Sequence, residues 1–254
     1  MVTTEAALAA LAAAGDGERA VQMAAYHKST RPFFGVPVPQ IDALVKAWRV
    51  AELGDRVALA DGLWQAGVHE ARVAAARLLD QSRFRPTDAP VWAQLVRWLP
   101  DLDGWAIADH VMIAGQKRVV ADPRRIDEVE GWTRSPSMWV RRAALVVTLP
   151  FAKSGTPKPV EAAVRARVLG WAGGYVADPE WFMQKVVAWW LRDLSKHNPD
   201  QTRAFLEVHG GSMKAFARKE ASKYLPGCWP GGPGAVTPRG GPPAARGRGR
   251  PPPR

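Results

Sequence analysis

Apolar residues recur every three to four positions along most of the chain, in Ala-, Leu- and Val-rich segments separated by short polar or proline-bearing breaks. That period is helical, and runs in which Val, Ile, Thr or Tyr alternate with polar residues are missing. The pattern predicts helices near 4–14, 16–29, 38–50, 54–65, 68–80, 87–99, 103–115, 122–132, 136–149, 157–172, 178–196, 199–208 and 212–224. Several starts carry capping or proline signals: Thr87-Asp88 with Pro90, Asp122-Pro123, Ser135-Pro136, Asp178-Pro179 and Asn198-Pro199.

Similar segments recur within this array. Glu70-Ala-Arg72-Val-Ala-Ala-Ala-Arg-Leu-Leu is echoed by Trp139-Val-Arg141-Arg-Ala-Ala-Leu-Val-Val and, loosely, by Phe182-Met-Gln184-Lys-Val-Val-Ala-Trp-Trp-Leu, with Trp105-Ala-Ile-Ala-Asp109 between the first two. Their starts, near 72, 105, 141 and 184, are 33, 36 and 43 residues apart. That is the length of a two-helix solenoid unit of the HEAT or armadillo kind. The expected fold is therefore all-α, a curved solenoid of HEAT-like repeats whose concave face is a groove.

From Pro226 the composition changes. Nine prolines and eight glycines fill 17 of the last 29 positions, ending in Arg246-Gly-Arg-Gly-Arg250-Pro-Pro-Pro-Arg254. Such a segment buries no core, so residues 1–225 are expected to form the repeat domain and 226–254 a disordered tail. The tail reads either as a nonspecific phosphate-binding arm or as a solubilising segment without a selected role. It supplies +5 of the formal charge of +11, leaving +6 for the body. That excess suits a polyanionic partner such as nucleic acid without establishing one.

A single cysteine, Cys228, excludes an intramolecular disulfide framework, a cysteine zinc site and an iron–sulfur cluster. The histidines, at 27, 69, 110, 197 and 209, lack close ligand spacing, so no metal and no cofactor is expected. No apolar run approaches the roughly 20 residues that span a bilayer. The N-terminal Ala/Leu stretch follows Glu5 and has no basic lead, so it reads as a helix and not a signal peptide. The expectation is a monomer in the bacterial cytoplasm, beside the nucleoid.

In the 178–196 helix, Met183, Val186, Val187, Trp190, Leu191 and Leu194 form the core stripe. Lys185, Trp189, Arg192 and Lys196 form a different one, which sets the Trp189 indole among cations. There it either contacts a sugar, base or phosphate-flanked ligand or packs on a neighbouring helix. In the 103–115 helix the core stripe is Ile107, Ala108, Val111 and Ala114, and Trp105 and Asp109 sit together beside it. A mid-helix aspartate needs a reason. Asp109 is a solvated residue, a partner of Arg72, Arg141 or Arg142, or a carboxylate held at the groove wall to stabilise positive charge.

Arg141 and Arg142 cannot share a face, so one is free for phosphate while the other packs or pairs with an acid; the sequence leaves the choice open. Tyr26, Lys28, Arg31, Arg218 and Lys219 add aromatic and basic groups at the two ends of the solenoid, where a groove would meet a DNA backbone. Asp109-His110 invites a catalytic dyad, but helix neighbours point about 100° apart, so a catalytic His110 is disfavoured.

With these segments on successive helices, the chain resembles the DNA alkylation repair family of HEAT-like repeat DNA glycosylases, AlkD type, over roughly residues 20–225. The resemblance is carried by Met23-Ala-Ala-Tyr26-His-Lys28 followed by Pro32-Phe-Phe-Gly-Val-Pro37, by Gly104-Trp105-Ala-Ile-Ala-Asp109, and by Trp139-Val-Arg-Arg142-Ala-Ala. The most specific block is Trp181-Phe-Met-Gln-Lys185-Val-Val-Ala-Trp189-Trp-Leu-Arg-Asp-Leu-Ser-Lys-His-Asn-Pro199. It implies excision of cationic N3- and N7-alkylated purines from double-stranded DNA without base flipping. By position it implies Trp105, Asp109 and Trp189 as the catalytic trio and Arg142 as a DNA-backbone contact, with Lys185, Tyr26 and Lys28 expected at the DNA. The tail and His110 depart from the family pattern without displacing a motif residue. The competing reading is a non-catalytic HEAT-repeat scaffold that binds DNA structures or a protein partner.

Overall fold

The computed structural model describes residues 2–49 and 52–225. The tail expected at 226–254, and Cys228 within it, lie outside the described residues. Thr3 and Asp16 cap the first two helices, their side chains accepting from the Ala6 and Arg19 amides at 3.2 and 2.8 Å. The described residues form fourteen α-helices, three 3₁₀ turns and no strand. The first seven helices are α1 (Thr4–Ala13), α2 (Gly17–His27), α3 (Val38–Trp48), α4 (Leu53–Gln65), α5 (His69–Leu78), α6 (Ala89–Arg97) and α7 (Trp105–Ala121). The rest are α8 (Ile126–Trp132), α9 (Met138–Val147), α10 (Leu149–Ala152), α11 (Pro159–Tyr175), α12 (Trp181–His197), α13 (Pro199–His209) and α14 (Ala215–Ala221).

They stack as an all-α solenoid in two rows. In one row α3, α5, α7, α9, α12 and α14 pack each on the next; in the other α4, α6, α8, α11 and α13 back them. The expected repeat length reappears as a ladder of polar links between successive units. Trp64 Nε1 donates to Asp101 Oδ2 at 3.0 Å and Trp98 Nε1 to Asp61 Oδ1 at 3.2 Å, each across 37 residues. Trp92 Nε1 donates to Glu128 Oε2 at 2.7 Å across 36 residues, and Arg125 pairs with Asp88 across 37. The Trp64 and Trp98 rings also stack, 4.4 Å apart and 7° from parallel. Each of these indoles thus buries area while its N–H fixes the register of the neighbouring unit.

Several boundaries shift by two or three residues, as at Trp181 for 178 and Ala215 for 212, and three differences have a visible physical basis. The helix expected to end at 115 runs on to Ala121, and Gly115 within it is a close-packing position: a Cβ there would meet Val147 Cγ2 of α9 at 3.0 Å. The helix expected from 122 opens instead as a 3₁₀ turn, Pro123–Arg125, with Asp122 Oδ1 accepting from the Arg124 amide. The helix expected over 136–149 ends early, where the Thr148 hydroxyl donates back to the carbonyls of Ala144 and Leu145, and α10 follows as a separate turn.

No described helix is long and apolar enough to cross a membrane. Among the described residues no group of three or more His, Cys, Asp or Glu side chains is placed to hold a metal ion.

Candidate active site

Trp105 is the first residue of α7 and Asp109 lies one turn on. Both are half-buried, whereas Ile107, Ala108, Val111 and Ala114 are fully in the core. The same division holds on α12: its expected apolar stripe is buried, Lys185 is exposed, and Trp189 and Arg192 are half-buried. These two faces meet side chains of α9, α14 and the C-terminal end of α2 around one cleft of about 1170 Å³. Tyr26, Lys28, Trp105, Asp109, Arg142, Lys185 and Trp189 all line it.

Tyr26 and Lys28 therefore sit in this cleft, beside Trp105, and not apart at an end: the Tyr26 ring stands edge-on to the Trp105 indole at 6.0 Å. Arg31 pairs instead with Asp103 at 2.6 Å. Arg218 is half-buried and Lys219 exposed, outside the cleft lining. Lys196, the last of the basic stripe on α12, lies over the Tyr224 ring. The sequence did not single out Phe216 and Glu220, which α14 adds to the cleft. Phe216 stacks on Trp181 at 6.0 Å, a contact across 35 residues that no local period signals.

The central charge pair joins two repeats. Arg142 donates from Nε to Asp109 Oδ1 at 3.0 Å and from Nη2 to Asp109 Oδ2 at 2.8 Å. Its Nη1 donates to the Phe182 carbonyl at 3.0 Å, and the residue is only 3% exposed. Of the three arginines weighed as partners of Asp109, Arg142 is the one used. Arg141 pairs with Asp178, and Arg72 lies over the Trp64 ring while donating to the Trp64 and Asp101 carbonyls. The bidentate pair and the Phe182 contact together occupy three of the five N–H groups of Arg142 and leave two for a further acceptor. Burial raises the Asp109 carboxyl above its ordinary value, against the pull of Arg142 and Lys185. Both carboxyl oxygens accept from the guanidinium, the geometry of the ionised form.

Behind Trp105 lies a cluster of histidines. His27 sits 4.6 Å from His69 and 5.2 Å from the Trp105 indole, centroid to centroid. Burial pushes His69 down to about 3 and His110 down to about 4, and lowers His27 as well. His110 has Arg77, Asp42 and Asp80 as its charged neighbours, so it forms no dyad with Asp109. All three rings are neutral at pH 7.

That charge state carries a stability prediction. The unfolded chain protonates these histidines near pH 6.5, while folded His110 resists down to about 4. Between those limits the unfolded state binds more protons. The unfolding free energy should therefore fall toward acid by up to about 1.4 kcal/mol per pH unit for each such histidine. Asp109, whose carboxyl is raised, contributes with the opposite sign. Urea unfolding between about pH 7 and pH 5 checks this, and His110→Leu should flatten the slope in that window.

The model of the DNA alkylation repair enzyme family matches residues 7–225. The chain belongs to that family. Solved structures share its fold. A predicted DNA alkylation repair enzyme from Enterococcus faecalis superposes with a TM-score of 0.68 at 23% identity, covering 84% of this chain and 98% of its own. AlkD2 from Streptococcus mutans superposes with a TM-score of 0.56 at 16% identity, covering 74% of this chain and 90% of its own. No curated protein matches the chain. The family match spans every element that lines the cleft, from α2 to α14.

Proposed function

We propose that this family member is a DNA N-glycosylase, hydrolysing the N-glycosidic bond of cationic N3- and N7-alkylated purines in duplex DNA without flipping the base. The observation that carries the reading is the Asp109 carboxylate, half-buried and held in a fork by Arg142, in one cleft with the Trp105 and Trp189 indoles. A groove that only bound phosphates would gain nothing from a carboxylate there. A site that must stabilise a cation would.

Alkylation at N3 or N7 makes the purine cationic and a good leaving group. As the C1′–N bond breaks, its electron pair neutralises the base and the positive charge passes to the sugar as an oxocarbenium ion. The fixed carboxylate of Asp109 stabilises that ion without reorganising. Water then adds at C1′, and in this reading Asp109 accepts its proton. The division of labour parallels the carboxylates of glycoside hydrolysis. The indole faces contribute roughly 0.5–2 kcal/mol each toward a cationic nucleotide. Such modest gains suit an already labile lesion and leave ordinary purines untouched. Leaving the base in the stack avoids the unstacking cost that flipping enzymes bear.

Lys28 and Lys185, exposed at the cleft, supply phosphate contacts. Lys28 holds a left-handed backbone, φ 50°, which costs a side-chain-bearing residue about 1 kcal/mol. Lys28→Gly should therefore raise stability by up to about 1 kcal/mol yet flatten the salt dependence of DNA binding by about 0.9 in log–log slope. Chemical denaturation and a salt titration check the two signs together.

The reading is tested by single-turnover release of 7-methylguanine and 3-methyladenine from methylated duplex DNA. Release of free base, leaving abasic sites, supports it. A folded protein that binds the duplex and releases nothing refutes it in favour of a DNA-binding scaffold.

A further inference from the structure

Helix α2 brings Tyr26, His27 and Lys28 to the cleft, yet none of its residues is buried. Its far end is tied down by the Asp16 amide donating to the Phe34 carbonyl at 2.8 Å and by Arg19 Nη1 donating to the Gly35 carbonyl at 3.1 Å. Near the cleft, the helix ends in rings. The His27 imidazole lies against Trp105 at 5.2 Å and 36°, against His69 at 4.6 Å and 32°, and against Phe33 at 5.9 Å and 12°. Phe33 and His69 in turn stack at 4.4 Å and 20°.

The far side of this pile is rigid. Glu70, fully buried, accepts from the amides of Phe34, Gly35 and Val36 at 3.0, 2.7 and 3.2 Å, and the His69 amide donates to the Pro32 carbonyl at 3.0 Å. The loop that carries Phe33 is thereby fixed to α5. Trp105, by contrast, occupies the first position of α7, where the helix itself restrains a side chain least. Its ring neighbours among the described residues are Tyr26, which is 71% exposed, and His27. The firm lateral support of the indole is the histidine.

We propose that His27 is a positioning residue for Trp105, transmitting the fixed α5 frame through His69 and Phe33 to the indole plane that meets the cationic nucleotide. The assignment rests on the glycosylase reading for its catalytic consequence and on ring geometry for the contact itself. A ring is needed at this position, and an uncharged one. An imidazolium against the indole would draw on the same π density as the cationic substrate and weaken that contact. The groups around His27 fit that need: His69 and His110 are held neutral, Arg31 adds positive charge beyond His69, and Glu70 is the acid that faces it.

The test compares wild type, His27→Ala and His27→Phe as full chains, with two readouts. At about pH 7.5, His27→Ala should lower the single-turnover excision rate about tenfold with DNA affinity changed less than about twofold, and His27→Phe should restore the rate to within about threefold. The ratio of wild-type to His27→Phe rate should hold steady around neutrality and fall only in acid, on the acid side of an ordinary histidine because burial lowers His27, since only the wild type places a proton beside the indole. A His27→Ala protein that excises at the wild-type rate, or a His27→Phe protein that excises no faster than His27→Ala, overturns the proposal. The second readout needs no excision. Imidazolium quenches an adjacent indole, so acid titration of the free protein should show a drop in tryptophan emission that is missing from both His27→Phe and Trp105→Phe. If the wild type releases no base but that drop is present, the glycosylase reading fails while the contact stands. If the drop persists in either variant, the contact itself is refuted.

Discussion

Asp109→Asn is expected to cut single-turnover excision at least about tenfold while leaving affinity for alkylated duplex unchanged or raised. The substitution keeps the shape of the side chain and removes its charge. Each factor of ten corresponds to about 1.4 kcal/mol of lost transition-state stabilisation, a modest demand on a half-buried carboxylate facing a developing cation. Affinity should not fall, because Arg142 then carries an uncompensated charge in a cleft that faces phosphates. The same loss of balance should lower stability by roughly 1–3 kcal/mol, since the guanidinium stays buried with two acceptors in place of three and no counter-charge. Rate, equilibrium affinity and thermal midpoint measured on one preparation separate these effects. Wild-type excision by the variant would remove Asp109 from the chemistry.

The second large effect is expected at Arg142→Lys. Lysine preserves the charge and loses the fork: one ammonium cannot donate along both Asp109 oxygens and reach the Phe182 carbonyl as well. Excision should drop about tenfold or more as Asp109 loses its fixed orientation. The salt slope of DNA binding should hold within about half a unit, because the charge remains. Arg142→Ala removes both functions and should also lose about one unit of slope if the two remaining N–H groups contact phosphate. A lysine variant with full activity would show that the charge of Arg142 matters and its geometry does not.

Much of this was legible in the sequence, and the limits are physical. Helix positions followed from period and from capping residues, which are local signals. Trp105 with Asp109, and Lys185 with Trp189, could be placed on non-core faces because four residues make one turn. The pattern ends the 103–115 helix too early: the turn beyond it packs through Gly115 against Val147 of α9, a contact across 32 residues that the local pattern does not carry. The choice between Arg141 and Arg142 was likewise closed to sequence, because the deciding partners, Asp178 and Asp109, lie 37 residues ahead and 33 behind. The histidines show the same limit most plainly. His27, His69 and His110 have no spacing that signals a cluster, and only the stacking of successive units gathers them behind Trp105.

The links that recur at about one repeat length carry a mechanical consequence. Asp109 and Arg142 belong to different repeats, so the distance between them is set by the pitch of the solenoid, as are Trp64 to Asp101 and Arg125 to Asp88. A duplex that strains the superhelix stretches or compresses every one of these links together. The protein then behaves as a spring whose rest length is written in hydrogen bonds, and the alignment of its central charge pair is a gauge of that length. A substitution on the back of the solenoid that relaxes one link can detune the chemistry while touching nothing near the DNA.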